Sequence, residues 1–253
     1  MAQNKGSSLG RGVRPLVTGF IFMTLASGSA ADVSGRISLK GTPPPEKTIV
    51  MDELCSRLHV EPVTTRHFVV SSNGGLANVF VYISKGLEGR SFPVPTEAVE
   101  LDQKGGMYEP YVSGLMTGQT LRVKNSDDLL HNVHCLPKIP GNREFNFAQP
   151  FQGQVTEKTF TKREIMVKFK CDVHNWMFAY VGVVEHPFFA VTDKDGQFAL
   201  TNVPPGTYTL TAYHQKMHGT SPGLSQSITV DSNSPAIANF VMEAGVAPPV
   251  AGK

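Results

Sequence analysis

Short alternations of apolar and polar residues recur along the chain, from "FVVSS" near its first third to "SQSITV" near its end. "ANVFVYI", "TLRVKN", "IMVKFKC", "AYVGVVE", "QFALTNV" and "TYTLTAY" follow the same rule. Each sends every second side chain to one face, the period of a strand with a core on one side. Turn-forming clusters separate them: "SSNGG", "KGLEG", "DKDG" and "VPPGT". Short strands at this spacing predict an all-β chain built of sandwiches or barrels. The 24 glycines and 18 prolines agree with that reading. No long helical pattern and no strict long repeat competes with it.

Residues 1–31 follow a different pattern. Lys5, Arg11 and Arg14 precede the apolar run "PLVTGFIFMTLA", and "SGSAAD" then offers small residues. This is the layout of a secretory signal, with cleavage just before Ala31 or Asp32. A membrane anchor would need about 20 apolar residues. No cysteine lies at the cleavage point to carry a lipid. A periplasmic or secreted protein is expected, with no integral membrane segment after cleavage. Losing three cations and no acids takes the formal charge from +2 to about −1. A nearly neutral chain gives no electrostatic case for nucleic acid or a membrane surface as partner. Residues 244–253 read as a disordered tail, and nothing in the sequence speaks to oligomeric state.

Three cysteines is an odd number for an exported protein. In "IMVKFKC" the alternation puts Ile165, Val167, Phe169 and Cys171 on the core face, with Lys168 and Lys170 opposite. Cys171 is then the odd thiol, which leaves Cys55 and Cys135 either as a disulfide or as two small buried thiols.

Cys171 opens "CDVHNWM", where a thiol, an imidazole and a thioether fall at i, i+3 and i+6. Zinc prefers thiolate, imidazole and carboxylate ligands, whereas a thioether selects for copper. Two His and one Cys with a distant Met describe a blue-copper electron-transfer centre. Cys171, His174 and Met177 leave one histidine to find. "NSDDLLHNVHC" offers His131 and His134, on opposite faces of an extended segment, so only one can face the Cys171 loop. A Cys-His nucleophile is the weaker reading, since Met177 and the second His are better explained by metal. No phosphate-binding glycine loop is present. No enzymatic activity is expected.

"MTGQTLRVKNSDDLLHNVH" together with "EFNFAQPFQGQVTEKTFTKREIMVKFKCDVHNWMFAYVGVV" resembles the cupredoxin family, most closely its plastocyanin and amicyanin type. The resemblance covers residues 108–184. It implies a Greek-key β-sandwich with one type-1 copper held by His131, Cys171, His174 and Met177. It also implies that Asn132 braces the copper loop by hydrogen bonds, a role that fits the tuning of copper by its outer shell. Phe178 and Ala179 replace the glycine usual soon after the Met. "HPFFAVTDKDGQFALTNVPPGTYTLTAYHQ" resembles carboxypeptidase regulatory-like, transthyretin-like modules. The whole arrangement, opening with "ADVSGRISLKGTPPP", is similar to exported bacterial proteins labelled as methylamine-utilisation proteins, although no amine chemistry is visible in these residues.

The expected domains are a signal at 1–31, a cupredoxin-like sandwich at 32–184 and a small β module at 185–243. The 75 or so residues ahead of the match should supply the sandwich's first strands and a loop near "CSRLHVEPVT". The expected function is one-electron transfer with a redox protein of the cell envelope. The alternatives are copper storage or delivery without redox turnover, and an adhesive or carbohydrate-binding protein with a structural metal. "DKDG" reads as a hairpin turn. A second metal site of His134, His186 and His214 competes with three ordinary histidines. Trp176 is either an exposed docking residue or a plug between the copper and the C-terminal module.

Overall fold

The computed structural model describes residues 1–2, 30–218, 223–232 and 234–244. Most of the expected signal (residues 3–29) and of the expected tail (residues 245–253) lies outside them. Among the described residues, no helix is long and apolar enough to cross a membrane.

The chain opens with β1 (Ala31–Lys40), then a short helix, α1 (Glu53–Ser56), and β2 (Phe80–Lys85). Nine strands follow: β3 (Val99–Gln103), β4 (Tyr108–Glu109), β5 (Val112–Met116), β6 (Leu121–Asn125), β7 (His131–Leu136), β8 (Phe145–Gln149), β9 (Val155–Lys158), β10 (Glu164–Lys170) and β11 (Phe178–Val184). The last group is β12 (Phe189–Val191), β13 (Gln197–Val203), β14 (Gly206–Tyr213), β15 (Leu224–Val230), β16 (Ala236–Ile237) and β17 (Phe240–Glu243). The chain is all-β, as its periodicity predicts.

These strands form two sandwiches. In the first, β1 lies against β13, β16 and β17, and faces a sheet ordered β12-β2-β14-β15. Val33 and Ile37 of β1 meet Val79, Val81, Ile83, Phe198, Leu200 and Leu210 in its core. In the second, the sheet β5-β11-β10-β7-β8 faces β4-β3-β6-β9, around Leu101, Leu121, Val123, Val133, Phe169 and Val181.

This pairing corrects the expected domain boundary. The first two strands join the strands of residues 185–243, and the second sandwich is built from strands of residues 99–184 alone. The reason is hydrophobic matching. Val33 and Ile37 complete a core that β13, β14 and β17 would otherwise leave open on one side. "DKDG" is a turn, with Gly196 at φ +77° and Asp193 Oδ1 accepting from the N–H groups of Asp195 and Gln197. It links strands of two different sheets, so it is not a hairpin.

Alternation along β2 explains how the sandwiches stack. Val79, Val81 and Ile83 face the first core. Phe80 and Tyr82 point the other way, onto Tyr111, Val112, Tyr180 and Val184. Gly114 and Gly182 are register partners on β5 and β11. A Cβ on Gly182 would lie 2.4 Å from Phe80, and one on Gly114 2.6 Å from the same ring. The glycine pair is therefore the seat of Phe80, and β11 is buried on both faces.

The expected alternation of β10 breaks at one residue. Met166 takes φ +63°, and the pairing with β11 shifts register between Glu164 and Val167. Ile165 consequently turns to the interface between sandwiches, away from the face shared by Val167, Phe169 and Cys171.

Candidate metal centre

β7 alternates as its sequence does: His131, Val133 and Cys135 are fully buried, while Asn132, His134 and Leu136 face outward. Cys171 follows the last residue of β10, two strand positions after Phe169, and shares its face. The turn from β10 to β11 is closed by two backbone bonds, Cys171 N–H to Met177 O (3.0 Å) and Met177 N–H to His174 O (2.9 Å). It folds His174 back over Cys171. His131, Cys171 and His174, all buried, thereby bring one donor atom each within 4.8 Å of one another. His131 Nδ1 stands 3.0 Å from His174 Nδ1, and Cys171 Sγ 3.8 Å from the same nitrogen. Met177 is fully buried in the same cluster as Cys171.

The outer nitrogens of both rings are held by carboxylates. His131 Nε2 is 2.9 Å from Asp127 Oδ2, and His174 Nε2 is 3.2 Å from Asp52 Oδ2. A carboxylate on the far nitrogen fixes ring orientation and directs the other nitrogen's lone pair inward. Burial alone would raise the Cys171 thiol pKa. Hydrogen bonds from His131 and His174, and the backbone N–H groups of His174 and Asn132, outweigh it and draw the thiol down to about 6. Both N–H groups lie 3.3 Å from the sulfur. The site thus holds a thiolate and two imidazole nitrogens facing one point.

Asn132 bonds the same loop through a second group. Besides its N–H on the sulfur, its Oδ1 accepts from Asp172 N–H at 3.1 Å, tying β7 to the loop. His134 is on the opposite face, between Asp172 and Glu144 at 2.8 Å each. His186 bonds the Ile83 carbonyl and His214 stacks on Phe68. The structure does not bring these three histidines together as one group.

The periodicity of the sequence misses the turn at Gly105 and Gly106. Their N–H groups donate to the two oxygens of Asp127, at 2.7 and 2.8 Å. Their carbonyls take His59 Nε2 at 2.6 Å and Trp176 Nε1 at 3.0 Å. Both residues have positive φ, and a Cβ on Gly106 would lie 2.9 Å from Cys55 Sγ. One turn thus positions Asp127 behind His131 and Trp176 beside His174. Trp176 is half-buried, its ring 5.2 Å from that of His174. It donates to the Gly106 carbonyl and lines a cleft with Ile49, Met107 and Phe178. The C-terminal module is not what covers His174. Two weak signals were available in the sequence: Asp127 four residues before His131, and Asp52 as a helix N-cap before "ELC".

Cys55 and Cys135 are free and buried, like Cys171, which favours the two buried thiols over the disulfide. Cys55 sits at the His131 end of the sandwich, under Gly106. Cys135 is four residues further along β7, roughly 13 Å at strand rise, and a bridge needs Cα atoms within about 7 Å. Burial pushes the Cys55 thiol up to about 12 and raises Cys135 as well. Unfolded, unreduced, metal-free protein should therefore titrate three thiols with Ellman's reagent. A count of one would restore the bridge.

Residues 179–243 match a family model described as a carboxypeptidase regulatory-like domain. The match begins within β11 and leaves out β1 and β2, which complete that sandwich in space. No curated protein sequence matches the chain. Among solved structures, the chain is similar to a mutant amicyanin in the Cu(I) form, at 23% identity over 34% of this chain and 81% of that one, with a TM-score of 0.31. It is also similar to a purple cupredoxin from Nitrosopumilus maritimus, at 26% identity over 31% and 82%, TM-score 0.27. A copper-containing nitrite reductase from Thermus scotoductus aligns at 19% identity over 41% and 25%, TM-score 0.32.

Proposed function

We propose that this chain is an exported blue-copper protein that carries single electrons to or from a redox protein of the cell envelope. The observation that carries the reading is the convergence of His131 Nδ1, Cys171 Sγ and His174 Nδ1 in a buried site, each ring braced from behind by a carboxylate. Two imidazoles and a thiolate beside a buried thioether are a donor set suited to copper. His131, Cys171 and His174 would hold the ion, with Met177 as the weak fourth ligand. Bound there, copper would supply a one-electron couple.

The chain's own residues make the site stiff. Asp127 and Asp52 fix the rings, Asn132 and the loop backbone fix the thiolate, and little has to move when charge changes. That favours electron transfer over delivery, because a delivering site must release its ligands. His174 is 7% exposed and held at both nitrogens. Cys171 is 2% exposed, so no substrate reaches it as a nucleophile, which supports a carrier over a catalyst. Trp176, half-buried and beside His174, is the natural route outward.

The test is a visible spectrum of copper-loaded protein. An intense thiolate-to-copper band is expected. Cys171→Ser should abolish it and His131→Ala should disrupt it. His134→Ala should leave it, since that ring sits with Asp172 and Glu144. Damage from His134→Ala with a harmless His131→Ala would overturn the assignment. Slow reduction in stopped flow, with rapid loss of Cu(I) to a chelator, would replace the carrier by a delivery protein.

A further inference from the structure

His174 has metal-ligating groups on both sides of its ring. Asp52, Cys55 and His174 place one ligand atom each within 4.8 Å of one another. We propose that these three residues form a second, outer site for a divalent transition-metal cation, sharing the His174 ring with the inner site. The proposal goes beyond the blue-copper reading and does not need it.

Local structure explains why these groups converge. Asp52 is the N-cap of α1, and its Oδ1 accepts the Cys55 N–H at 2.8 Å. That bond leaves Oδ2 free to face His174 Nε2 at 3.2 Å. The same cap puts the Cys55 side chain, three residues on, beside that carboxylate. Cys55 is fully buried, in a seat that exists because residue 106 is glycine. Thiolate, imidazole and carboxylate are the ligand types of zinc-like sites. Three protein ligands with one position open to water is the arrangement of zinc sites that exchange or react. The Asp52 side chain, 45% exposed, provides the opening. On binding, the Cys55 thiol gives its proton to solvent and the sulfur forms the new bond to the cation. The competing account is simpler: Asp52 only orients His174, and Cys55 is a small buried residue.

Cobalt(II) separates the two accounts, because a cobalt–thiolate bond absorbs in the near ultraviolet. The full chain with Cys171→Ser, which removes the inner thiolate, should show this absorption and saturate at one equivalent. Adding Cys55→Ser should abolish it, and adding Cys135→Ser should not. Asp52→Asn should weaken cobalt binding by roughly tenfold or more, at least what loss of an outer-shell partner costs at metal sites. If Cys171→Ser proves unfolded by circular dichroism, Cys171→Ala serves, since it leaves no unpaired hydroxyl in an apolar seat. Absence of the absorption, or its persistence without Cys55, overturns the outer site. Neither result touches the inner one, which is read from the copper band of the unaltered chain.

Discussion

A chain that ends at Val184 should fail to fold, although it keeps every residue of the inner site. Cutting there removes β12 to β17 and leaves β1 and β2 with no partner strands. Val33, Ile37, Val79, Val81 and Ile83, all buried at present, would meet water. At about 1.5–3 kcal/mol for each such side chain, the five amount to roughly 10 kcal/mol. The net stability of a domain is about 5–15 kcal/mol, so the loss is comparable to the whole. The damage should spread inward, because the residues between β1 and β2 carry Asp52, Cys55 and His59 onto the site. Near-ultraviolet circular dichroism and limited proteolysis would read the outcome. Rapid cleavage between residues 31 and 98 is expected, with little or no copper band. A truncated protein with native circular dichroism and a full band would show that the C-terminal strands are dispensable.

Asp127→Ala should be the most damaging single change outside the ligands. It strips acceptors from the N–H groups of Gly105 and Gly106 and from His131 Nε2. An unpaired buried donor costs about 1–3 kcal/mol, so a loss on the order of 4 kcal/mol is expected, with copper bound roughly 10 to 100 times more weakly. Its pH signature distinguishes it from a general packing defect. Burial by itself would lower the His131 pKa, but Asp127 and Cys171 raise it to about 9 in the metal-free chain. A raised histidine contributes stability that is full below its unfolded value of about 6.5 and lost as pH climbs through 9. Cys171, drawn down to about 6, acts in the opposite sense. Its contribution grows as pH rises from 6 towards the unfolded thiol value of about 8.5. The two slopes offset each other, so the melting temperature of metal-free protein should stay nearly level between these limits. Asp127→Ala weakens the His131 share and should tilt that plateau upward with pH. Asp127 itself is raised by burial but lowered further by His131 and the two glycine N–H groups. Its share should disappear as pH falls below about 4. An unchanged, level plateau in the variant would remove Asp127 from the site's electrostatics.

Much of the inner site was legible because strand geometry is local. The opposite facing of His131 and His134 follows from a period of two, and β7 obeys it along its full length. Cys171 inherits its direction from Phe169 for the same reason. What the period could not show is what lies across space. Met166 breaks its strand with a left-handed backbone that no neighbouring residue signals, and Ile165 changes sides with it. The partnership of β1 with β13 and β17 depends on which core has an open side. Alternation along β1 is equally consistent with either sandwich. The state of Cys55 stayed open for a related reason. Two cysteines suggest a pair by their number, while their positions depend on α1 resting against Gly106, a close approach that only a residue without a Cβ permits. Asp127 and Asp52 are ordinary acids in the sequence; Asp127 acquires its role when the turn at Gly105 and Gly106 closes on it, and Asp52 when it caps α1 beside His174.

The long reach of β1 also bears on the order in which the chain can fold. Lys40 meets Glu243 203 residues further on, and Ile37 pairs with Phe240. The first strand synthesised therefore waits for β13, from residue 197 on, for its first partner strand, and for β17 to cover its other edge. Residues 99–184 are complete long before that, yet their outer face waits for Phe80, which waits in turn for β14. Contacts so distant in sequence make for slow, late closure. A ribosome-bound chain halted before residue 197 should leave β1 open to protease. Vectorial folding from the N-terminus is thus closed to this topology, and the polypeptide stays threadable for most of its synthesis.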